Sequence, residues 1–90
     1  EHYDSLVINA GLHSDLSCIL AKTCVELGLP CRVVGTLEEE QRTSENRETL
    51  KRLKVRELLG PWQELEQTAD RAARELQELG LRPYCLGKIS

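Results

Sequence analysis

The sequence contains no phenylalanine and no methionine, and its only aromatic residues are one tryptophan and two tyrosines. A hydrophobic core must therefore be assembled from Leu, Val, Ile, Ala and Cys. No apolar run approaches the roughly 18 residues that a membrane-spanning helix needs, and no signal-peptide pattern is present. An excess of basic charge is missing too. The net charge is −3, with acids and bases interspersed, which argues against a nucleic-acid-binding surface. There is no internal repeat. With Glu1 as the first residue and no methionine anywhere, the chain is expected to be a piece excised from something longer, or a processed product. Its 90 residues make one domain, spanning 1–90, with a real but thin core.

Metal-ligand spacing is also absent. The four cysteines, Cys18, Cys24, Cys31 and Cys85, form no Cys-x-x-Cys pair, and neither histidine stands at ligand spacing from one; no metal site is expected. All four lie in apolar segments, where a free thiol behaves as a small buried hydrophobe. Buried thiols favour a reducing, cytoplasmic compartment.

What is present is a stretch from Ser5 to Thr36 that organises the rest. Leu6-Val7-Ile8 is a consecutive apolar run, as in a strand covered on both faces. It is placed in a strand over Ser5 to Asn9, which breaks at Asn9-Ala10-Gly11. His13 or Ser14 can cap the helix that follows, and Asp15 complements its dipole. Leu16, Ile19, Leu20, Thr23, Cys24 and Leu27 share one face at helical spacing. Cys18, Ala21 and Val25 form a second, nearly opposite face. Such a helix either sits between two packed layers, the second being a partner, a second copy or a missing domain, or exposes small residues that tolerate solvent. Gly28 and Pro30 end it, and Cys31 to Thr36 is a second strand.

Leu37 to Asn46 is polar and aperiodic and reads as an exposed loop whose three glutamates form a solvated face. A second helix begins at Thr43 or Ser44. Val55 to Leu59 reads as a third strand in preference to a helical continuation, because Gly60-Pro61 and a new helix complete another βα step. Trp62, Leu65, Ala69, Ala72, Ala73, Leu76 and Leu79 make the apolar stripe of a helix over Pro61 to Leu79, closed by Gly80. Arg82 to Leu86 is the last strand. The order βαβαβαβ implies an α/β fold, a three-layer sandwich around a four-stranded parallel sheet with about three helices and strand order 2-1-3-4.

Open parallel sheets bind ligands beyond the carboxyl ends of their strands, at the reversal of strand order. The first strand stands there. Gly11 allows a tight turn, and the amides of Leu12, His13, Ser14, Asp15 and Leu16 open a helix N-terminus suited to phosphate or carboxylate. Asp15 opposes this, since its charge sits where an anion would go, and simple capping is the competing reading. The turn lacks the spaced glycine and the Gly-Lys-Ser/Thr ending of a P-loop. His13 and Ser14, being adjacent, make a poor nucleophile–base pair.

Ile8-Asn9-Ala10-Gly11-Leu12-His13-Ser14-Asp15 resembles the segment ending Gly-x-x-Ser-Asn-His in fold type II pyridoxal-phosphate enzymes, notably the group of D-cysteine desulfhydrase and 1-aminocyclopropane-1-carboxylate deaminase. The similarity continues through Ala21, Leu27-Gly28-Leu29 and Cys31-Arg32-Val33-Val34. Trp62, Leu65 and the helix to Gly80 resemble the family's third helix, and Pro83-Tyr84 its following strand.

The resemblance implies the smaller, cofactor-flanking domain of such an enzyme. Gly11 and Ser14 would stand beside cofactor and substrate carboxylate, with Ser14 as a candidate catalytic residue in proton transfer. Asp15 stands where the family has Asn and Leu16 where it often has His. The Schiff-base lysine and the cofactor phosphate loop have no counterpart; Lys22, Lys51, Lys54 and Lys88 match no such motif.

The sequence thus points to a small domain of a pyridoxal-phosphate lyase or deaminase, catalytically incompetent alone and completed by a missing second domain. The alternative is a non-enzymatic interaction domain or engineered scaffold that associates through Cys18, Ala21 and Val25.

Overall fold

The computed structural model describes residues 2–87; Glu1 and residues 88–90, the end of the segment Gly87 to Ser90 that is expected to trail from the last strand, lie outside the described residues. Strand β1 (Ser5–Ile8) leads through the turn to α1 (Asp15–Leu27) and β2 (Cys31–Thr36). A one-turn helix α2 (Leu37–Glu40) and α3 (Glu45–Leu53) precede β3 (Arg56–Gly60), a single 3-10 turn (Trp62–Glu64), α4 (Leu65–Glu78) and β4 (Pro83–Leu86). All three strand pairings are parallel. The class is α/β, a four-stranded parallel sheet with helices on both faces.

The strand order is β3-β2-β1-β4, which corrects the expected 2-1-3-4. β1 and β2 are neighbours in both arrangements, but β3 lies outside β2 and β4 pairs with β1. The composition of β3 gives the reason. Arg56 and Glu57 open this strand, and a strand carrying charge on both faces is accommodated at an edge rather than inside a parallel sheet. β1 remains at the reversal of order, now between β2 and β4. Right-handed crossovers from β1 to β2 to β3 put α1 and α3 together on one face. The return across the sheet to β4 puts α4 on the other.

Each face has its own core. Ile8, Leu12, Ala21, Cys24, Val33 and Leu50 are buried beneath α1 and α3. Val7, Val34, Leu58, Ala69, Ala72 and Leu76 are buried beneath α4. The alternation of Val7 with Ile8, and of Val33 with Val34, supplies both layers from the same strands.

Helix α1 inverts the expected orientation. Its buried residues are Ser17, Cys18, Ala21 and Cys24, so Cys18 and Ala21 belong to the domain's own core and offer no partner surface. Of that predicted trio only Val25 is exposed. Leu16, Ile19 and Leu27 of the predicted core stripe face solvent instead, Ile19 at 60% and Leu27 at 68% exposure. Small side chains let α1 lie close to the sheet and α3, and close packing outweighs the burial of larger residues further round the helix.

Two further expectations change. The segment 37–46, expected as a loop, contains α2 and the start of α3, so the α-helices among the described residues number four rather than about three. α2 begins with a capping box in which the Thr36 hydroxyl and the Glu39 carboxylate each accept a backbone N–H from the other residue. No glycine ends α3; Lys54 caps it and itself adopts the left-handed conformation with φ 58°.

None of the four cysteines forms a disulfide. Cys18, Cys24 and Cys31 are buried, whereas Cys85 on the edge strand is exposed, unlike its expected place in the core. Burial raises the pKa of Cys18 and Cys24, and burial beside the Cys24 thiol pushes Cys31 up to about 12. These three thiols are packing groups with little nucleophilic character.

Two charge clusters pin helices to the sheet. Arg47 of α3 is buried and paired at 2.5 Å with Glu57 of β3. On the opposite face Glu75 of α4 receives Arg32 at 2.8 Å and Arg56 at 2.8 Å. Hydrogen bonds from Arg56 and then Arg32 lower the Glu75 carboxyl from 4.5 to about 2. A depressed carboxylate pKa adds stability that is present above its unfolded value and lost as pH falls through the folded one. Thermal stability is therefore expected to fall more steeply in the wild type than in Glu75→Gln between about pH 4.5 and pH 2. Parallel melting curves across that window would exclude the linkage.

Candidate functional site

The turn between β1 and α1 sits at the reversal of strand order. Gly11 has φ 92°, a conformation that L side chains rarely adopt. A β-carbon there would also stand 2.8 Å from Oε2 of Glu39. Leu12 turns inward, fully buried, and presses on the backbone of Gly35 in β2, where only glycine leaves room.

The polar residues of the turn are engaged with one another and with the next helical segment. Ser14 caps α1, its hydroxyl oxygen accepting from the Ser17 amide at 3.1 Å. The Ser14 O–H donates to Ser17 Oγ at 3.1 Å, and Ser17 donates onward to the Gly11 carbonyl at 2.5 Å. Asp15 accepts from the Asn46 side-chain amide at 2.8 Å, and that same amide donates to the His13 carbonyl at 2.9 Å.

His13 is held at both ring nitrogens. Its Nε2 lies 2.8 Å from the carbonyl oxygen of Glu39, and its Nδ1 lies 2.6 Å from the Ser44 hydroxyl. A carbonyl only accepts, so Nε2 carries the proton, and in the neutral ring Nδ1 accepts from Ser44. Ser44 meanwhile caps α3 by accepting from the Arg47 amide at 3.1 Å.

The geometry brings Gly11, Leu12, His13, Ser14 and Asp15 together as one turn. It does not align Ser14 with a base, because the His13 ring is directed at Ser44 and the Glu39 carbonyl. The turn works as a clasp that ties the start of α1 to α2 and the start of α3. As an anion site it is opposed by two carboxylates, Asp15 in the first turn and Glu39 against Gly11.

The open space lies beside this turn. A cavity of about 380 Å³ sits at the carboxyl ends of the strands, between the starts of α1 and α4. Ala10, Leu16, Val34 and Leu65 form apolar walls, with Asn9 and Glu39 among the polar lining. A second cavity of about 290 Å³ adjoins it at Asn9 and is lined by Glu66, Ala69, Asp70 and Cys85. A larger hollow of about 650 Å³ over the first turns of α3 is polar and open to solvent.

Sequence reasoning placed Glu39 only on a solvated face and Ser44 only at the start of a helix, and gave Asn46 no role of its own. The signal for Glu39 was there: Thr36-Leu37-Glu38-Glu39 is the capping-box spacing. Ser44 and Asn46 carry no such local mark for their reach back to the first turn.

Among the described residues no group of three or more His, Cys, Asp or Glu is placed to hold a metal ion, and no helix is long and apolar enough to cross a membrane. No protein-family model matches the chain, and no curated protein matches it.

Because the cap and the left-handed turn are both used, substitutions there are expected to act on stability. Ser14→Ala should cost about 1 kcal/mol, and Gly11→Ala about 1–3 kcal/mol, measured by urea denaturation. Unchanged midpoints would show that the clasp does not hold the turn.

Proposed function

We propose that this chain is a cofactor-flanking α/β domain related to the small domain of fold type II pyridoxal-phosphate enzymes, and that it is catalytically incompetent alone. One observation carries the reading. The carboxyl edge of the sheet holds a cavity at the reversal of strand order, and Leu16, Leu37 and Trp62, which follow the ends of β1, β2 and β3, are 48%, 47% and 62% exposed. Such an edge suits a second domain that closes over it, with a ligand held between the two.

The residues described here do not fit the cofactor by themselves. The Ser14 hydroxyl is spent on the helix cap and on Ser17, Gly11 faces a carboxylate, and among the described residues no lysine lines the cavity. No proton-transfer step is therefore assigned to Ser14. In a complete enzyme the domain would bound the site of an amino-acid elimination or deamination, while the cofactor-holding groups came from the other domain.

The test is a chimera in which this chain replaces the small domain of a D-cysteine desulfhydrase. The chimera is expected to take up pyridoxal phosphate with little activity, and Asp15→Asn with Leu16→His is expected to raise that activity. A folded chimera that takes up no cofactor would overturn the reading.

The outward stripe of Leu16, Ile19, Thr23 and Leu27 favours a second reading, a non-enzymatic domain that self-associates through α1. This reading expects a sedimentation coefficient that rises with concentration and returns to the monomer value in Ile19→Glu. A wild-type chain that stays monomeric at millimolar concentration would count against it.

A further inference from the structure

We infer that α1 takes a second copy of this chain across a two-fold axis that passes close to Thr23, with the two helices antiparallel. This rests on the self-association reading and adds to it the partner, the orientation and the groups that select them. Three observations carry it.

The first is the order of residues along the helix. Ile19, Thr23 and Leu27 follow one another at four-residue spacing on the outward face of α1, and all three are exposed. Such residues stand in one row. Turning the row about its middle member gives the same row in reverse. Thr23 then meets the second copy's Thr23, and each Ile19 meets the other chain's Leu27. A patch that is its own complement closes a pair about a two-fold axis and leaves no end open for further copies. The overlap runs from Ile19 to Leu27, so Leu16 and the carboxyl edge of the sheet stay clear of it.

The second is the state of the Thr23 hydroxyl. A hydroxyl at the centre of a dry seam is costly when its proton loses water and gains no acceptor. The Thr23 O–H already donates to the Ile19 carbonyl, one turn earlier, at 2.9 Å. Covering Thr23 therefore orphans no donor.

The third is charge. Lys22 and Glu26 are exposed and flank the row on the same side. Within one helix, Lys four residues before Glu is the weaker orientation for a pair. In an antiparallel pair this flank faces its own copy with the direction reversed. Lys22 and the second copy's Glu26 then stand within about 3 Å of the same height along the helices, and the reciprocal pair forms across the axis. A parallel arrangement would set this flank against the opposite one, which holds Leu20 and Cys24, and neither charge would meet its opposite. Asp15, on the same flank, lies beyond the overlap and is held by Asn46.

Sedimentation velocity of the full chain, up to about millimolar, tests this with Lys22→Glu, Glu26→Lys and their one-to-one mixture. The wild type is expected to form a reversible dimer. Each variant alone is expected to pair about tenfold more weakly, since it turns two attractive contacts into repulsive ones. The mixture is expected to pair more tightly than either variant alone, because every charge contact across the seam is then attractive. Both substitutions are on the exposed side of the helix and leave the core untouched.

A chain that stays monomeric would overturn this inference together with the self-association reading. A dimer that neither variant weakens, one that mixing does not restore, or growth beyond the dimer would overturn the antiparallel seam alone.

Discussion

The fold depends on a clasp between two parts of the chain that are distant in sequence. The turn that leaves β1 is fixed to α2 and α3 by His13, which bridges the Ser44 hydroxyl and the Glu39 carbonyl, and by Asn46, which bridges the His13 carbonyl and Asp15. The same groups cap three helices: Ser14 for α1, Thr36 with Glu39 for α2, and Ser44 for α3. Loss of one member therefore leaves donors and acceptors unpaired in several places at once. Networks of this kind are worth more than their pairwise parts.

The charge clusters perform a related task at depth. Arg47 is nearly fully buried and reaches Glu57 on the edge strand. Buried pairs of this kind add little net stability compared with apolar residues, because desolvation offsets the attraction, but removing one partner is costly. Their value lies in direction: Arg47 fixes α3 over β3, and Glu75 fixes α4 over Arg32 and Arg56 from the other side. The sheet is thereby held from both faces along the β2–β3 side. The β4 edge is held chiefly by β1, by the Asp4–Arg82 backbone contact and by the Tyr3–Tyr84 ring contact at 4.9 Å.

This division leaves open space with apolar walls at the carboxyl edge. The turn beside it has consumed its donors, so an anion finds a carboxylate where an N-terminal helix site would otherwise receive it. Apolar walls, the Glu39 carboxylate and an exposed apolar rim line that space.

Much of the architecture was legible in the residues. Consecutive Leu6-Val7-Ile8 announced a strand covered on both faces, Cys31 to Thr36 a second strand, Gly28 and Gly80 ended helices, and Gly60-Pro61 followed a third strand. Local chemistry determines such features, since backbone conformation and short-range periodicity act within a few residues. A cap at His13 or Ser14 and the glycine turn were legible for the same reason, and the structure assigns the cap to Ser14.

What the tertiary structure decided involves distance along the chain or competition between faces. The place of β3 outside β2, the burial of Cys18 and Ala21 in preference to Ile19 and Leu27, and the pairing of His13 with Ser44 each depend on which elements become neighbours. Glu39 shows the boundary most clearly: its capping role was written in Thr36-x-x-Glu, but its position over Gly11 exists only because β1 and β2 lie side by side. A sequence specifies the hydrogen-bonding and apolar capacity of each segment, and only packing selects the partner that uses it.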